Sequence, residues 1–186
     1  QTIPFMASAQ VAAYVETRSF HDAARGELVD VNIAVVGSSV AHVPNAHGFQ
    51  QAGIQAVTIV AKGDSVIDFR KTEVNGPEHL DSAFTDFLHQ EHFALKPGEY
   101  DLEVELTDLN APDVPAARFK GPLVVAAPDR ALRFSDVLLT ERVEQRPDGS
   151  TSLVPYISTY YPAGVHELGF HAELYNADKT FGTDSL

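Results

Sequence analysis

Apolar and polar residues alternate with a period of two along most of the chain. In the clearest run, the apolar positions are Tyr100, Leu102, Val104 and Leu106. Acidic residues fill the positions between them, and residues 28–36 repeat the pattern with four β-branched residues on one face. A period of two places alternate side chains on opposite faces of a β-strand. The pattern therefore predicts strands with one face in a core and one in water.

About seven such runs lie between residues 11 and 126, and turn residues separate them at the spacing typical of a β-sandwich. Residues 83–93 are ambiguous, because their large apolar residues fit neither the strand nor the helix period well. We predict an all-β protein: an immunoglobulin-like or fibronectin III-like antiparallel β-sandwich at 11–126. Residues 1–10 are predicted to be a flexible N-terminus, 127–131 a linker, and 132–186 a second, incomplete β-sandwich module.

A turn at Pro97 and Gly98 precedes Tyr100, the first inward residue of the strongest strand. A tyrosine at this position is typical of the tyrosine corner of immunoglobulin-like sandwiches, in which the hydroxyl returns to nearby backbone. We therefore predict a structural role for these three residues.

Composition narrows the class of protein. The formal net charge is -13, which works against phosphate-backbone binding, so nucleic acid is a poor partner. The absence of cysteine excludes disulfides, thiolate nucleophiles and Cys-ligated metals. No stretch approaches the roughly 20 apolar residues of a membrane-spanning helix. Ala7, Ser8 and Ala9 have the small-x-small pattern of a signal-peptidase site, but no intact signal peptide precedes them; an ordinary terminus fits equally well.

Several segments are similar in sequence and order to one protein family. They are 12–17 (AAYVET), 64–69 (DSVIDF), 93–104 (FALKPGEYDLEV), 107–110 (TDLN), 134–137 (FSDV), 154–156 (VPY), 161–162 (YP) and 172–176 (AELYN). Together they resemble the N-terminal immunoglobulin-like region of exported Bacteroidetes hypothetical proteins related to the GWxTD-domain group. The resemblance implies tandem sandwiches in the cell envelope, with no enzyme chemistry. The GWxTD element itself is not in this sequence.

The histidines and one acidic loop are the candidate metal ligands of the sequence. On a strand, His89 and His92 would point to opposite faces, so ordinary surface histidines are favoured over a zinc site there. Asp108, Asn110 and Asp113 bring oxygen ligands into one loop and form a weak calcium candidate, although any turn uses the same residue types. We expect no metal or cofactor to be needed for folding.

Two further groups of residues are candidates for an interaction surface. Tyr156, Tyr160 and Tyr161 form either a contact surface or packing at the domain junction. Phe170 and Leu174 lie on the apolar side of a predicted strand at 168–176, and they need a cover. We predict that they pack against the first domain, against a strand of another chain or against sequence beyond Leu186, and that Phe134 and Val137 lie in the same contact.

No nucleophile elbow or phosphate loop occurs in the sequence, so no catalytic residues are predicted. Three hypotheses remain. The first is a noncatalytic scaffold or interaction module, exported to the periplasm or cell surface, with other envelope proteins or the remainder of a longer chain as partners. The second is a glycan- or calcium-binding β-sandwich module. The third is an enzyme with histidine and carboxylate groups from distant strands.

Overall fold

The computed structural model describes residues 3–5, 11–22, 24–80, 84–127, 131–145, 149, 151–157 and 166–182. The strands in these residues are β1 Ile3–Phe5, β2 Ala13–Asp22, β3 Gly26–Val35, β4 His42–Pro44, β5 Gln50–Lys62, β6 Ser65–Asn75, β7 Phe87–Ala94, β8 Gly98–Asp108, β9 Ala117–Val125, β10 Arg133–Phe134, β11 Leu138–Gln145, β12 Thr151–Pro155, β13 Gly169–His171 and β14 Leu174–Tyr175. A 3-10 turn spans Gly37–Ser39, and a short helix, α1, spans Ala177–Phe181. No helix in the described ranges is long and apolar enough to cross a membrane.

The first nine strands form two antiparallel sheets. One has the order β1-β2-β3-β7. In the other, β5 pairs with β8 on one side and with β6 on the other, and β9 extends the sheet beyond β8, while β4 pairs with the start of β5. Sheets of β2-β3-β7 and β6-β5-β8-β9 correspond to strands A-B-E and C′-C-F-G of an immunoglobulin-like sandwich. The predicted all-β antiparallel sandwich is confirmed.

The core lies between the inward faces of these two sheets. Its fully buried members include Val29, Val31, Ile33, Val35, Ile54, Val60 and Phe93. The apolar set of the clearest sequence run, from Tyr100 to Leu106, is buried in the same cluster. The acidic residues between them face out and pair across to β9, with Glu105 bound to Arg118 at 2.6 Å. The alternation in the sequence is therefore the two-faced pleat of β8.

The segment with the ambiguous period is strand β7. Phe87 and Phe93 lie on its inward face, but His89 and Glu91 occupy the positions between them on that same face. The His89 Nε2 and Glu91 Oε1 atoms are 3.0 Å apart, so the two polar side chains are paired there. Polar residues on an inward face hide the period of two, which is why the sequence pattern did not decide the segment.

The region after residue 131 forms two small sheets. β10 pairs with β14, and β11 lies between β12 and β13. The prediction of one continuous strand at 168–176 was wrong, because β13 and β14 belong to different sheets. Between them, Glu173 donates its backbone N–H to the Ser135 hydroxyl and accepts the Ser135 N–H, each at 2.8 Å. Leu138, Pro155 and Ile157 are the buried apolar residues in the described part of this region, so its core is small.

The Tyr100 hydroxyl donates a hydrogen bond to the Lys96 carbonyl at 2.7 Å, across the turn that contains Pro97 and Gly98. The tyrosine is buried at the start of β8, after the connection from β7. This is the position and the contact of a tyrosine corner. The Lys62 ammonium lies 5.5 Å from the centre of the same ring, which brings the β5–β6 turn to the corner.

We expect Tyr100→Phe to keep the fold and lower the free energy of unfolding by about 1 kcal/mol, the usual net value of one hydrogen bond. The measurement is the midpoint of urea denaturation. Tyr14→Phe is the matched control, because the Tyr14 hydroxyl has no hydrogen bond in the described structure and its loss should leave the midpoint in place. Equal midpoints for wild type and Tyr100→Phe would remove the structural role of the corner.

Candidate interaction surface

The free edge of β2 connects the sandwich to the C-terminal region. β1 covers this edge only from Ala13 to Val15. Farther along, the Ser19 N–H donates to Asp136 Oδ2 at 2.8 Å, and the Asp136 N–H donates to the Ser19 carbonyl at 3.3 Å. A residue of the C-terminal region thus takes the place of a neighbouring strand.

The next outward N–H of β2, that of His21, donates to the Tyr175 hydroxyl at 2.8 Å. The same hydroxyl donates to Glu173 Oε2 at 2.5 Å, and the His21 and Tyr175 rings meet edge to face at 5.7 Å. Burial of the phenol, together with the Glu173 hydrogen bond, raises the pKa of Tyr175 to about 12. Tyr175 is therefore held in its protonated form, which can donate and accept at once.

Charged groups surround these contacts. Arg18 Nε donates to the Val137 carbonyl at 2.9 Å, and its guanidinium also pairs with the buried Glu16. The Arg133 guanidinium lies 5.1 Å from the Tyr175 ring centre and 3.7 Å from the buried Glu27 carboxylate. Hydrogen bonds to charged groups are among the stronger ones in proteins. The junction is a polar interface with directional contacts, and these fix the orientation of the C-terminal region on the sandwich.

Apolar side chains project from the C-terminal region into solvent. Phe134 is 69% exposed and Phe170 is 73% exposed, and Val137 and Leu168 are also exposed. Leu174 is half-buried and lies opposite Phe134 in the β10–β14 pair. We call Phe134, Val137, Leu168 and Phe170 the apolar surface. All four lie in the C-terminal region, and exposed apolar side chains mark interaction sites where they form a contiguous patch.

The described part of the first domain does not cover Phe170. The neighbouring residue, His171, lies against the domain instead, with its ring 6.0 Å from that of Phe20. Adjacent residues of β13 face opposite ways, so contact through His171 turns Phe170 outward. Tyr156 is half-buried and donates its N–H to the Leu139 carbonyl at 2.8 Å. Tyr160 and Tyr161 lie outside the described residues.

The calcium candidate loop has a structural use for its oxygen atoms. Asp108 is buried, its Oδ2 accepts the Ala41 N–H at 2.7 Å, and its Oδ1 accepts the Asn110 N–H at 2.8 Å. The Asn110 amide donates to the carbonyls of Ala41 and Gln51 at 2.9 and 3.1 Å. Asp113 is exposed. Asp108 and Asn110 thus tie the strand connections together, and their contacts favour the ordinary turn over the calcium site.

The histidines of the described residues lie at several separate places. His89 faces inward beside Glu91, whereas His92 faces outward with Nδ1 2.7 Å from Asp30 Oδ1, so the two do not converge. His166 is exposed, and His171 lies at the junction. Within the described residues, no group of three or more His, Cys, Asp or Glu side chains converges as a metal site. The sequence reasoning missed His42 and His79, which contact each other from positions 37 residues apart.

Comparison of the chain with family models, with curated proteins and with solved structures finds no match. Strand order, register and burial define the fold. The surfaces of the described residues are the basis for a proposed function.

We expect Asp136→Ala to loosen the junction, because the Ser19 N–H loses a charged acceptor at a sheet edge. The Asp136 side chain is exposed, so the cost should be about 1 kcal/mol, or a roughly fivefold rise in the open population. The measurement is the rate of proteolysis within 127–131. Glu141→Ala is the control, since Glu141 is an exposed acid of the same region that pairs locally with Arg142. Equal rates for the two variants would contradict the edge-pairing role.

The junction should also respond to alkaline pH. Because the pKa of Tyr175 is raised above the ordinary 10.0 to about 12, protonated Tyr175 stabilises the docked state fully below pH 10. This contribution is lost as pH rises through about 12. We expect proteolytic protection of the junction to fall across that window. Tyrosinate absorbance should show a group titrating near pH 12 that Tyr175→Phe removes; loss of a group titrating near pH 10 in this variant would contradict the assignment.

Proposed function

We propose that the protein is a noncatalytic scaffold or interaction module of the cell envelope, within a larger exported protein or a multiprotein assembly. The observation that carries this proposal is the apolar surface, and in particular the exposed rings of Phe134 and Phe170. Aromatic anchors of this kind supply much of the affinity of protein interfaces when a partner buries them.

The junction supports the proposal in a second way. A partner that binds a surface on a loosely attached region must first order that region, which costs affinity. Here the contacts of Ser19 with Asp136 and of His21 with Tyr175 hold the region in place beforehand. The apolar surface is therefore presented in a fixed orientation relative to the sandwich.

Three buried acidic side chains make contacts that hold the structure together. Asp108 holds strand connections, Glu27 pairs with His21 and Arg133, and Glu16 pairs with Arg18. A carboxylate held in this way orients backbone and side chains. These contacts favour a structural role over the enzyme hypothesis.

The proposed location rests on the sequence. The resemblance to exported envelope proteins points to the periplasm or cell surface, and the acidic, cysteine-free composition suits a soluble domain in either place. Partners under this proposal are other envelope proteins or a further segment of a longer chain.

The test is site-specific photo-cross-linking in the native cell. A photoreactive residue at position 170 should give one discrete cross-linked species in the envelope fraction, and adding Phe134→Asp should abolish it. The matched control is position 124, because Val124 is an exposed apolar residue on β9 and is not one of the residues of the apolar surface. Equal cross-linking from both positions, or recovery of the protein in the cytoplasm, would sink the proposal. Circular dichroism of each variant verifies folding.

A further inference from the structure

Strand β6 lies at an edge of its sheet. In the part of the chain that the structure describes, β5 is its one neighbouring strand, and the other side of β6 is unpaired. With 11 residues, β6 is longer than the edge strands β1, β7 and β9. The opposite edge of the same sheet, β9, contains Pro122, which has no N–H to donate. A long unpaired edge is a template for pairing with another strand.

Contacts of the neighbouring strands define which backbone groups of β6 face this free edge. The Ala52 carbonyl of β5 accepts the Gly76 N–H on the β6 side, whereas the Gly53 carbonyl accepts the Leu109 N–H on the β8 side. Successive residues direct their backbone groups to opposite sides, so the even-numbered residues of β5 face β6. From position 68 to 74, they pair with even-numbered residues of β6. The backbone groups that face the free edge are therefore those of Phe69, Lys71, Glu73 and Asn75.

The first half of β6 is protected against pairing, but the second half is not. The register with β5 shifts between Val60 and Ala61, which leaves Ile67 as an extra residue. The Phe69 N–H donates to Asp68 Oδ1 at 2.7 Å, so a side chain satisfies this edge donor. Bulges of this kind interrupt the pairing of an edge strand. We call the regular stretch 70–75 the open edge.

Two opposite charges lie on the open edge. Lys71 and Glu73 are exposed, and they share one face of the sheet because they are two residues apart. The ion pair of this strand joins Arg70 to Asp68, and neither Lys71 nor Glu73 forms an ion pair with the described residues. A base and an acid in this arrangement are complementary to the same strand running in the reverse direction.

We propose that a second copy of this chain pairs antiparallel with the open edge, about a two-fold axis at Thr72. In this register, Lys71 lies opposite Glu73 of the second copy and Glu73 lies opposite its Lys71, so two ion pairs form. Both residues direct their backbone groups to the edge, so each pair also exchanges two N–H···O=C bonds. An axis at Lys71 or at Glu73 would place like charges directly opposite each other, which is destabilising.

The remaining positions of the open edge fit the same register. Thr72 faces its own copy at the axis, and Thr–Thr pairs across two strands are favourable. Phe69, whose side chain is 53% exposed, lies opposite Asn75 of the second copy and gains cover there. The pairing is isologous, so it closes at two copies and joins the two sheets into one. It uses no residue of the apolar surface, and it does not depend on the proposed function.

The test is sedimentation velocity of the full chain over a concentration series from about 10 μM to 1 mM, a range suited to a weak dimer. Wild type should show a monomer–dimer equilibrium. Lys71→Glu and Glu73→Lys should each raise the Kd at least about tenfold, because each turns two attractive pairs into repulsive ones. The matched control is Glu99→Lys, since Glu99 is an exposed acid of β8 and its Kd should equal that of wild type.

Mixing the two single variants tests the register. In a mixed dimer, the glutamates at 71 and 73 of one chain lie opposite lysines at 73 and 71 of the other. The equimolar mixture should therefore dimerise with about the wild-type Kd, and so should the double variant Lys71→Glu/Glu73→Lys. Circular dichroism verifies that each variant is folded. Failure of both combinations to restore the dimer would overturn the proposal.

Amide hydrogen exchange of the wild-type protein locates the interface without any variant. The amides of Lys71 and Glu73 should become protected as the concentration rises, whereas that of Thr72 is bonded to β5 in both states and should not change. A monomer throughout the concentration series would overturn the proposal. A dimer whose Kd is the same in both charge variants, or whose formation leaves the Lys71 and Glu73 amides unprotected, would do so too.

Discussion

The open edge of β2 is the constraint on which the two-part architecture depends. An unpaired edge exposes backbone donors and acceptors that favour association with other strands, and natural proteins cover or interrupt such edges. Here Asp136 and Tyr175 accept the N–H groups of Ser19 and His21. Because two side chains accept these N–H groups and the Asp136 N–H donates back to the Ser19 carbonyl, this part of the edge is paired without a continuous strand. The same contacts that protect the sandwich also fix the C-terminal region against it.

The strands of the sandwich could be predicted from the sequence wherever apolar residues are buried and polar residues face solvent. The run from Tyr100 to Leu106 alternates cleanly because its outward acids face solvent and β9 partners. The period failed in β7, where His89 and Glu91 satisfy each other on the inward face. It also failed at 168–176, where apolar alternation continues through a change of sheet. Alternation of apolar and polar residues shows which face of a strand a residue lies on, but it does not show which sheet the strand joins.

The candidate sites depend on contacts that sequence spacing does not contain. Asp108 and Asn110 were recognisable as loop oxygen donors, but their partner Ala41 is supplied by another strand connection. His42 and His79 come together because β4, which contains His42, and His79 itself, which follows β6, both pair with the start of β5. Phe170 could be predicted as an apolar strand position. Its exposure follows from the docking of His171 on Phe20, which is a tertiary fact.

The junction and the His42–His79 pair lie at opposite ends of the sandwich. Strand β3 starts at Gly26 beside Glu27, which contacts Arg133 at the junction, and it ends at Val35, just before the connection that leads to His42. At about 3.3 Å per residue, its ten residues separate these ends by roughly 30 Å. One end carries the polar contacts that orient the C-terminal region, and the other carries the contact of His42 with His79. The long strand β3 therefore links two polar contact regions that join strand connections at the two ends of the sandwich core.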